Sequence, residues 1–374
     1  MLPLPTPPVP EFAKPSNAAA LLRCTLSVAF DDDPAAGAQP EKGPRAILGL
    51  VAHELLEATN RGELAAARIR EEWDRRIREN CERGREADRW GAPEAWANYQ
   101  RLRLRTIRRC KKIAESRAAM GCVTRDEAKD PDGRAGERNR AGGGSEVTLV
   151  ASDGRLRGRL DRVDVGPPRI IEDYKAGAIC DENGQIKEDY RVQLLLYAVL
   201  DHDQSGTWAD AVKLSSLLND ESVEFEVDPN EARAVLKDTM LALERYQSAV
   251  ASDDLLLLAA PSPSSCSKCA HRMHCPAFWG AADVSWAESG VFAAWGNMLE
   301  AVRANGRLGL KLNSVKGTAR GLITISGIDE ARVDSDALND GAAVAIDNFY
   351  SRTGSADLFH ANARTRVARA VPQT

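Results

Sequence analysis

At 374 residues with 43% hydrophobic content, the chain is long enough to bury more than one core, and it predicts a globular protein of two or three domains. Lys and Arg number 50 against 55 Asp and Glu, a formal charge of -5, which excludes a uniformly basic nucleic-acid coat and confines such contacts to local patches. The proline-rich start, Met1 to Pro15, lacks the basic and apolar regions of a secretory signal, and no apolar run is long enough to span a bilayer. A cytoplasmic protein without membrane contact is expected, with residues 1–15 disordered.

In chain order, Asn17 to Phe30 reads as one helix carrying Cys24, followed by an acidic, Gly/Pro-rich loop from Asp31 to Pro44. From Ile47 to Arg117, apolar residues recur at three- and four-residue steps with arginines between them, which predicts long helices. Arg101 to Lys112 contains no acid and concentrates positive charge on one helix; Arg105 and Arg109 are candidate phosphate contacts. Trp90, Trp96 and Tyr99 precede that run and are candidates for stacking on bases, although core packing is the favoured reading. Arg125 to Gly144 has almost nothing to bury and predicts a mobile connection.

Strands are expected at Val147 to Ala151, Leu156 to Val165 and Arg169 to Lys175, with Gly166-Pro167-Pro168 turning the last two. A three-residue turn would pair Val163 with Ile171 and set Asp161 opposite Asp173, with Cβ atoms roughly 5 Å apart and a penalty unless a cation lies between them. Asp173 and Lys175 share a face because strand side chains alternate. A helix over Glu188 to Leu200 puts Gln193 and Tyr197 on one face, and a second helix begins with Asp228 as N-cap and Pro229 in the first turn. Beyond Asp283, four short strands are expected, at Arg307–Leu312, Gly321–Ser326, Ala343–Phe349 and Thr365–Val371. They suggest a small β-barrel of the oligonucleotide-binding type, or a fragment of a β-sandwich.

Chemistry gathers in two places. Asp161 and Asp173 offer hard oxygen ligands for Mg²⁺ or Mn²⁺, Lys175 can hold an attacking water, and His53, in a helical segment with one apolar face, is a further ligand candidate that tilts the site towards Mn²⁺. Cys266, Cys269 and Cys275 form a Cys-x2-Cys-x5-Cys run followed by Pro276, with Cys24 far upstream as a candidate fourth thiol. Closely spaced thiols in a reducing compartment ligate metal more often than they form disulfides. Zinc completed by His271 or His274 remains an alternative to an iron-sulfur cluster.

The ordered set Gly49-x3-His53-x3-Glu57, Gly158-Arg159-Leu160-Asp161, Ile171-Glu172-Asp173-Tyr174-Lys175 and Gln193-x3-Tyr197 resembles the RecB-like branch of the PD-(D/E)XK nucleases over Ser16 to Trp279. The cysteines resemble the iron-sulfur members of that branch, of the AddB and CRISPR-associated exonuclease type. The resemblance implies an α/β, restriction-endonuclease-like core over 16–282 with a helical insertion near 60–140, followed by the barrel-like domain over 283–374. It also implies a 4Fe-4S cluster on Cys24, Cys266, Cys269 and Cys275, divalent metal on His53, Asp161 and Asp173, Lys175 as catalytic lysine, and Glu146 as an accessory acid. Gln193 and Tyr197 would touch the substrate strand.

The implied activity is a metal-dependent DNA nuclease on single strands or ends, in repair, recombination or defence, with a helicase or other DNA-processing protein as a possible partner. The rival is a non-catalytic or partner-gated DNA-binding module, which the intact Asp161, Asp173 and Lys175 set disfavours.

Overall fold

The computed structural model describes residues 4–33, 43–83, 91–119, 144–219, 221–333, 335–338, 341–351 and 357–370. Trp90, residues 34–42 of the acidic loop and the charged connection up to residue 143 lie outside them. The chain packs as two compact units, one of Glu11–Leu22 and Pro40–Leu243, the other of Met1–Pro10, Arg23–Gln39 and Glu244–Thr374.

The first unit is built on a five-stranded sheet in the order β1 (Gly144–Val150), β2 (Arg157–Asp164), β3 (Ile170–Lys175), β4 (Ala211–Ser216), β5 (Ser222–Glu226). Every pairing is antiparallel except β3 with β4. The expected hairpin register is present, with Val163 opposite Ile171, and the β2–β3 ladder runs as far as Arg162 opposite Glu172. β3 is the central strand, and its four inner residues, Ile171 to Tyr174, are all buried. Two of those four are carboxylates, which an apolar sheet interior would not tolerate without partners.

The helix before the sheet, α3 (Pro44–Asn60), starts with proline in its first turn and buries Ile47, Leu48, Val51, Ala52, Leu55, Leu56 and Thr59 along one stripe. Each fully buried Leu or Val there contributes roughly 1.5–3 kcal/mol. Against this stripe pack α4 (Ile69–Arg83) and α5 (Tyr99–Ala119) through Trp73, Ile77, Leu102, Ile107 and Cys110. Trp96 and Tyr99 belong to the same core, at 8% and 4% exposure, so they pack and offer no stacking surface. Helix α6 (Glu188–Ser205) follows β3 and covers β1 to β4 with an almost continuous buried run from Val192 to Asp201.

Cys24 does not lie inside a helix as its flanks suggest. The run splits into α1 (Pro15–Arg23) and α2 (Thr25–Asp32), and Cys24 is the extended residue between them, with φ -162° and ψ 95°. Later, α7 (Pro229–Ala251) begins as expected, its Asn230 amide donating to the Asp228 carboxylate.

In the second unit, five strands form a ring: β6 (Ala293–Ala304), β7 (Arg307–Gly317), β8 (Gly321–Asp329), β10 (Leu358–Arg369) and β9 (Ala343–Tyr350), closing back on β6. β8 and β10 run parallel and the other pairs antiparallel. β6 is absent from the four strands expected. Its sequence is rich in Ala with Gly, Asn and Glu, residues of poor strand propensity, and only tertiary pairing on both edges makes it a strand.

The ring is filled by Met298, Leu308, Leu310, Leu312, Ile323, Ile325, Val344 and Ile346. A separate core joins Cys266, Met273, Phe278 and Trp279 to Trp295, Ala345 and Ala370. Arg272, 2% exposed, donates to the Cys266 and Ser267 carbonyls and to Asn348 Oδ1. Arg366 bridges the Ala270 carbonyl to Asp347, which is fully buried.

Candidate active site

Asp161 stands on β2 one residue past the last paired position, where the two strands part. Its Oδ2 accepts the Tyr174 backbone amide at 2.7 Å, so this carboxylate replaces a backbone carbonyl as the partner of β3. Its Oδ1 lies 3.8 Å from His53 Nδ1, presented by α3 from outside that helix's apolar stripe. Burial works against a charge on His53, but Asp161 and then Asp173 outweigh it, and the imidazole pKa is held above its ordinary value.

Asp173 is 3% exposed. Lys175 Nζ stands 2.7 Å from its Oδ2 and donates to Gln193 Oε1 at 2.9 Å. Gln193 Nε2 reaches back to Asp173 Oδ1 at 3.4 Å and to Tyr197 Oη at 3.3 Å, while Tyr197 donates to the Arg159 carbonyl at 2.7 Å. Although the ammonium is close, Asp173 Oδ2 is buried without a hydrogen bond of good geometry. Burial first, and then Asp161, raise the Asp173 pKa more than Lys175 and His53 lower it. A buried carboxylate beside a second one is unfavourable when both are ionised, and a cation between them would relieve the repulsion. Hard oxygen donors suit Mg²⁺ or Mn²⁺. Among the described residues, however, no three His, Cys, Asp or Glu side chains are drawn together tightly enough to enclose an ion, here or elsewhere.

Gly158 lets this network close up. A Cβ there would lie 2.9 Å from both Pro15 Cγ and Tyr197 Cε1, so only glycine allows β2 to pass the tyrosine ring. Glu146 lies in β1, but its side chain is outside the described part of that strand.

Of the basic residues expected to meet phosphates, Arg105 is half-buried, and Arg109 turns inward, donating to Glu172 at 3.1 Å and lying over the Tyr174 ring at 4.3 Å. Sequence reasoning assigned no role to Glu172 or Tyr174. The available signal was a glutamate in a strand buried on both faces. Tyr190 was also missed; its ring lies 5.2 Å from Lys175 Nζ.

In the second unit, Cys24, Cys266, Cys269 and Cys275 line a single pocket, walled by Leu26, Phe30, Pro261 and Phe278 and enclosing about 370 Å³ that is partly open to solvent. Burial pushes the Cys266 thiol up, Cys269 to about 11 and Cys275 to about 12, so they are neutral thiols at pH 7. The Phe278 amide donates to Cys275 Sγ. His271 is stacked on Phe30 and held 2.7 Å from Asp31 Oδ1, and burial, followed by Arg366, drops the His274 pKa to about 4. Four sulfurs thus line the pocket as soft donors, with the His271 imidazole beside them.

No helix among the described residues is long and apolar enough to cross a membrane. No curated protein matches the chain. A solved structure described as "Crystal structure of SSO0001" is similar at 14% identity, with a TM-score of 0.31, over 72% of this chain and 87% of that one. The sequence profile of the PD-(D/E)XK nuclease superfamily, whose members hydrolyse phosphodiester bonds, generally with Mg²⁺ or Mn²⁺, matches residues 15–276. With more than half its length matched, the chain belongs to the PD-(D/E)XK nuclease superfamily.

Proposed function

We propose that this protein is a Mg²⁺- or Mn²⁺-dependent deoxyribonuclease of the RecB-like branch, cutting single-stranded DNA or DNA ends in repair, recombination or defence. The observation that carries the reading is Lys175, held between Asp173 Oδ2 and Gln193 Oε1 on the strand that faces Asp161. His53, Asp161 and Asp173 would hold the divalent ion, which supplies charge neutralisation at the phosphate and a lowered pKa for water. Lys175 then orients the attacking water, and in-line attack on phosphorus expels the 3′-oxygen. Gln193 and Tyr197 are 6% and 4% exposed, so their contribution runs through the placement of Lys175.

On α5, Arg101, Arg108, Lys111 and Lys112 are exposed and form no ion pair among the described residues. With Arg105 beside them, they would follow backbone phosphates. The four-cysteine pocket would take a 4Fe-4S cluster, because four sulfurs line it and the one imidazole among its walls, His271, is engaged by Asp31. The strand ring, in order first-second-third-fifth-fourth, supports an oligonucleotide-binding-type barrel that adds affinity for single strands.

Digestion of end-labelled single- and double-stranded DNA with circular controls, in Mg²⁺ and in Mn²⁺, tests the activity. Metal-dependent shortening of linear DNA, absent in Lys175→Ala, is expected. Cleavage that survives both chelation and that substitution would overturn the proposal.

A further inference from the structure

Behind β3, on the face away from Asp173 and Lys175, lies a second polar cluster that the reaction above does not use. Glu172 is 5% exposed and fully engaged: Oε1 accepts from Ser215 Oγ at 2.7 Å and Arg109 Nη2 at 3.1 Å, while Oε2 accepts from Tyr174 Oη at 2.9 Å. The Arg109 guanidinium covers the Tyr174 ring at 4.3 Å, close enough for a cation–π contribution. A carboxylate this deeply buried is tolerable only with such partners. The arginine, which comes from the basic helix α5, is the principal cation in the set; Arg162 Nη1 is more distant, at 3.8 Å.

The cluster fixes the side chain of Tyr174, and the backbone amide of Tyr174 is the donor that holds Asp161 Oδ2 at 2.7 Å. Because the β2–β3 ladder has already ended at Arg162 and Glu172, no further paired position lies between Tyr174 and Asp161 to set their distance. We infer that Arg109 is a positioning residue for Asp161, acting through Glu172 and Tyr174 from the opposite face of the sheet. The inference rests on the proposed reading of Asp161 as a metal ligand. It assigns two jobs to α5, with outward cations for phosphate and one inward arginine that sets the geometry of the metal carboxylate. Partners of this kind change metal affinity by about 10–100-fold when removed.

The test is Mn²⁺ titration calorimetry on the full chain without DNA, together with cleavage rates against Mn²⁺, DNA and salt, for wild type, Arg109→Lys and Arg109→Gln. Arg109→Gln should weaken Mn²⁺ binding by about tenfold or more. At saturating Mn²⁺ it should leave the KM for DNA and its salt dependence unchanged, and Arg109→Lys should fall between. A wild-type Mn²⁺ isotherm in Arg109→Gln, with a raised KM and a shallower salt slope, would show a phosphate contact and overturn the inference. Should Arg109→Gln fail to fold, the pair Arg109→Gln/Glu172→Gln, which leaves no lone buried charge, carries the same measurement; unchanged Mn²⁺ affinity there is equally fatal. Wild type that binds no Mn²⁺, or binds it equally well after Asp161→Ala, would instead refute the metal-site reading itself.

Discussion

The carboxylate site and the four-cysteine pocket both bury acidic groups, and in both burial raises the pKa of the members it shifts, yet the two are prepared in opposite ways. Around Asp161 and Asp173, a lysine, an amide, a phenol and a backbone N–H hold every side chain in place. Around the cysteines the walls are mostly apolar, and burial keeps Cys266, Cys269 and Cys275 neutral. Hydrogen bonds can preorganise a hard-ion site before the ion arrives, whereas a thiol site is completed by the metal, which must displace its protons. On the proposed reading, loss of a divalent ion should therefore leave the first site's shape largely intact, whereas loss of a cluster should loosen the second.

The largest effect that would break this contrast is catalytic. Lys175→Ala or Asp173→Ala should lower cleavage by about 10²–10⁴-fold while circular dichroism and DNA binding stay near wild type. Unfolding of either variant would show that the network is structural first. On the proposed reading of the pocket, anaerobically purified protein should be brown and carry roughly four irons per chain, and Cys24→Ala and Cys269→Ala should each abolish both and lower its melting temperature. Cys180→Ala, outside the pocket, should keep all three. Colourless protein with one zinc, indifferent to Cys24→Ala, would return a local zinc knuckle.

A smaller loss is expected from Gly158→Ala, whose Cβ meets Pro15 and Tyr197 at 2.9 Å. Overpacking of this kind costs about 1–3 kcal/mol, read as a lower denaturation midpoint. The smallest effect is a gain. Because burial raises the Asp173 pKa, the unfolded state ionises first as pH rises, and the metal-free protein loses stability above the unfolded value of about 3.9. In chelator, Asp173→Asn should therefore melt above wild type at pH 7, with the gap closing as pH falls towards 4. A variant that melts lower at pH 7 would mean that the Lys175 contact outweighs burial.

Three of the five strands of the nuclease sheet, β1 to β3, could be read in the sequence from their composition and a Gly-Pro-Pro turn, whereas β4 and β5 were not among the strands expected. The register that brings Asp161 to the end of the β2–β3 ladder follows from the length of that turn. The inward turn of Arg109 could not be read, since a run of arginines gives no sign of which one faces a buried glutamate fifty or more residues away. Strand β6 was hidden for a related reason, as Ala293–Ala304 is extended only because β7 and β9 flank it. The break at Cys24 was masked by the Ala- and Leu-rich helix formers before it and by the apolar spacing of Leu26, Ala29 and Phe30 after it. Nor does cysteine spacing reveal that Cys266 and Cys275 share a core with Trp295, Ala345 and Ala370.

That shared core sets a schedule. Cys24 leaves the ribosome well before its three companions, and the loop bearing them packs against Ala370 and is tied down by Arg366 on β10. Roughly 350 residues separate the first thiol from that last support, and at 5–20 residues per second the interval is about 20–70 s. During that time Cys24 is an unpartnered thiol on a nascent chain. On the proposed reading of the pocket, loading of a cluster would have to follow synthesis of β10, so cells short of cluster-assembly capacity should accumulate metal-free chains that already carry β10.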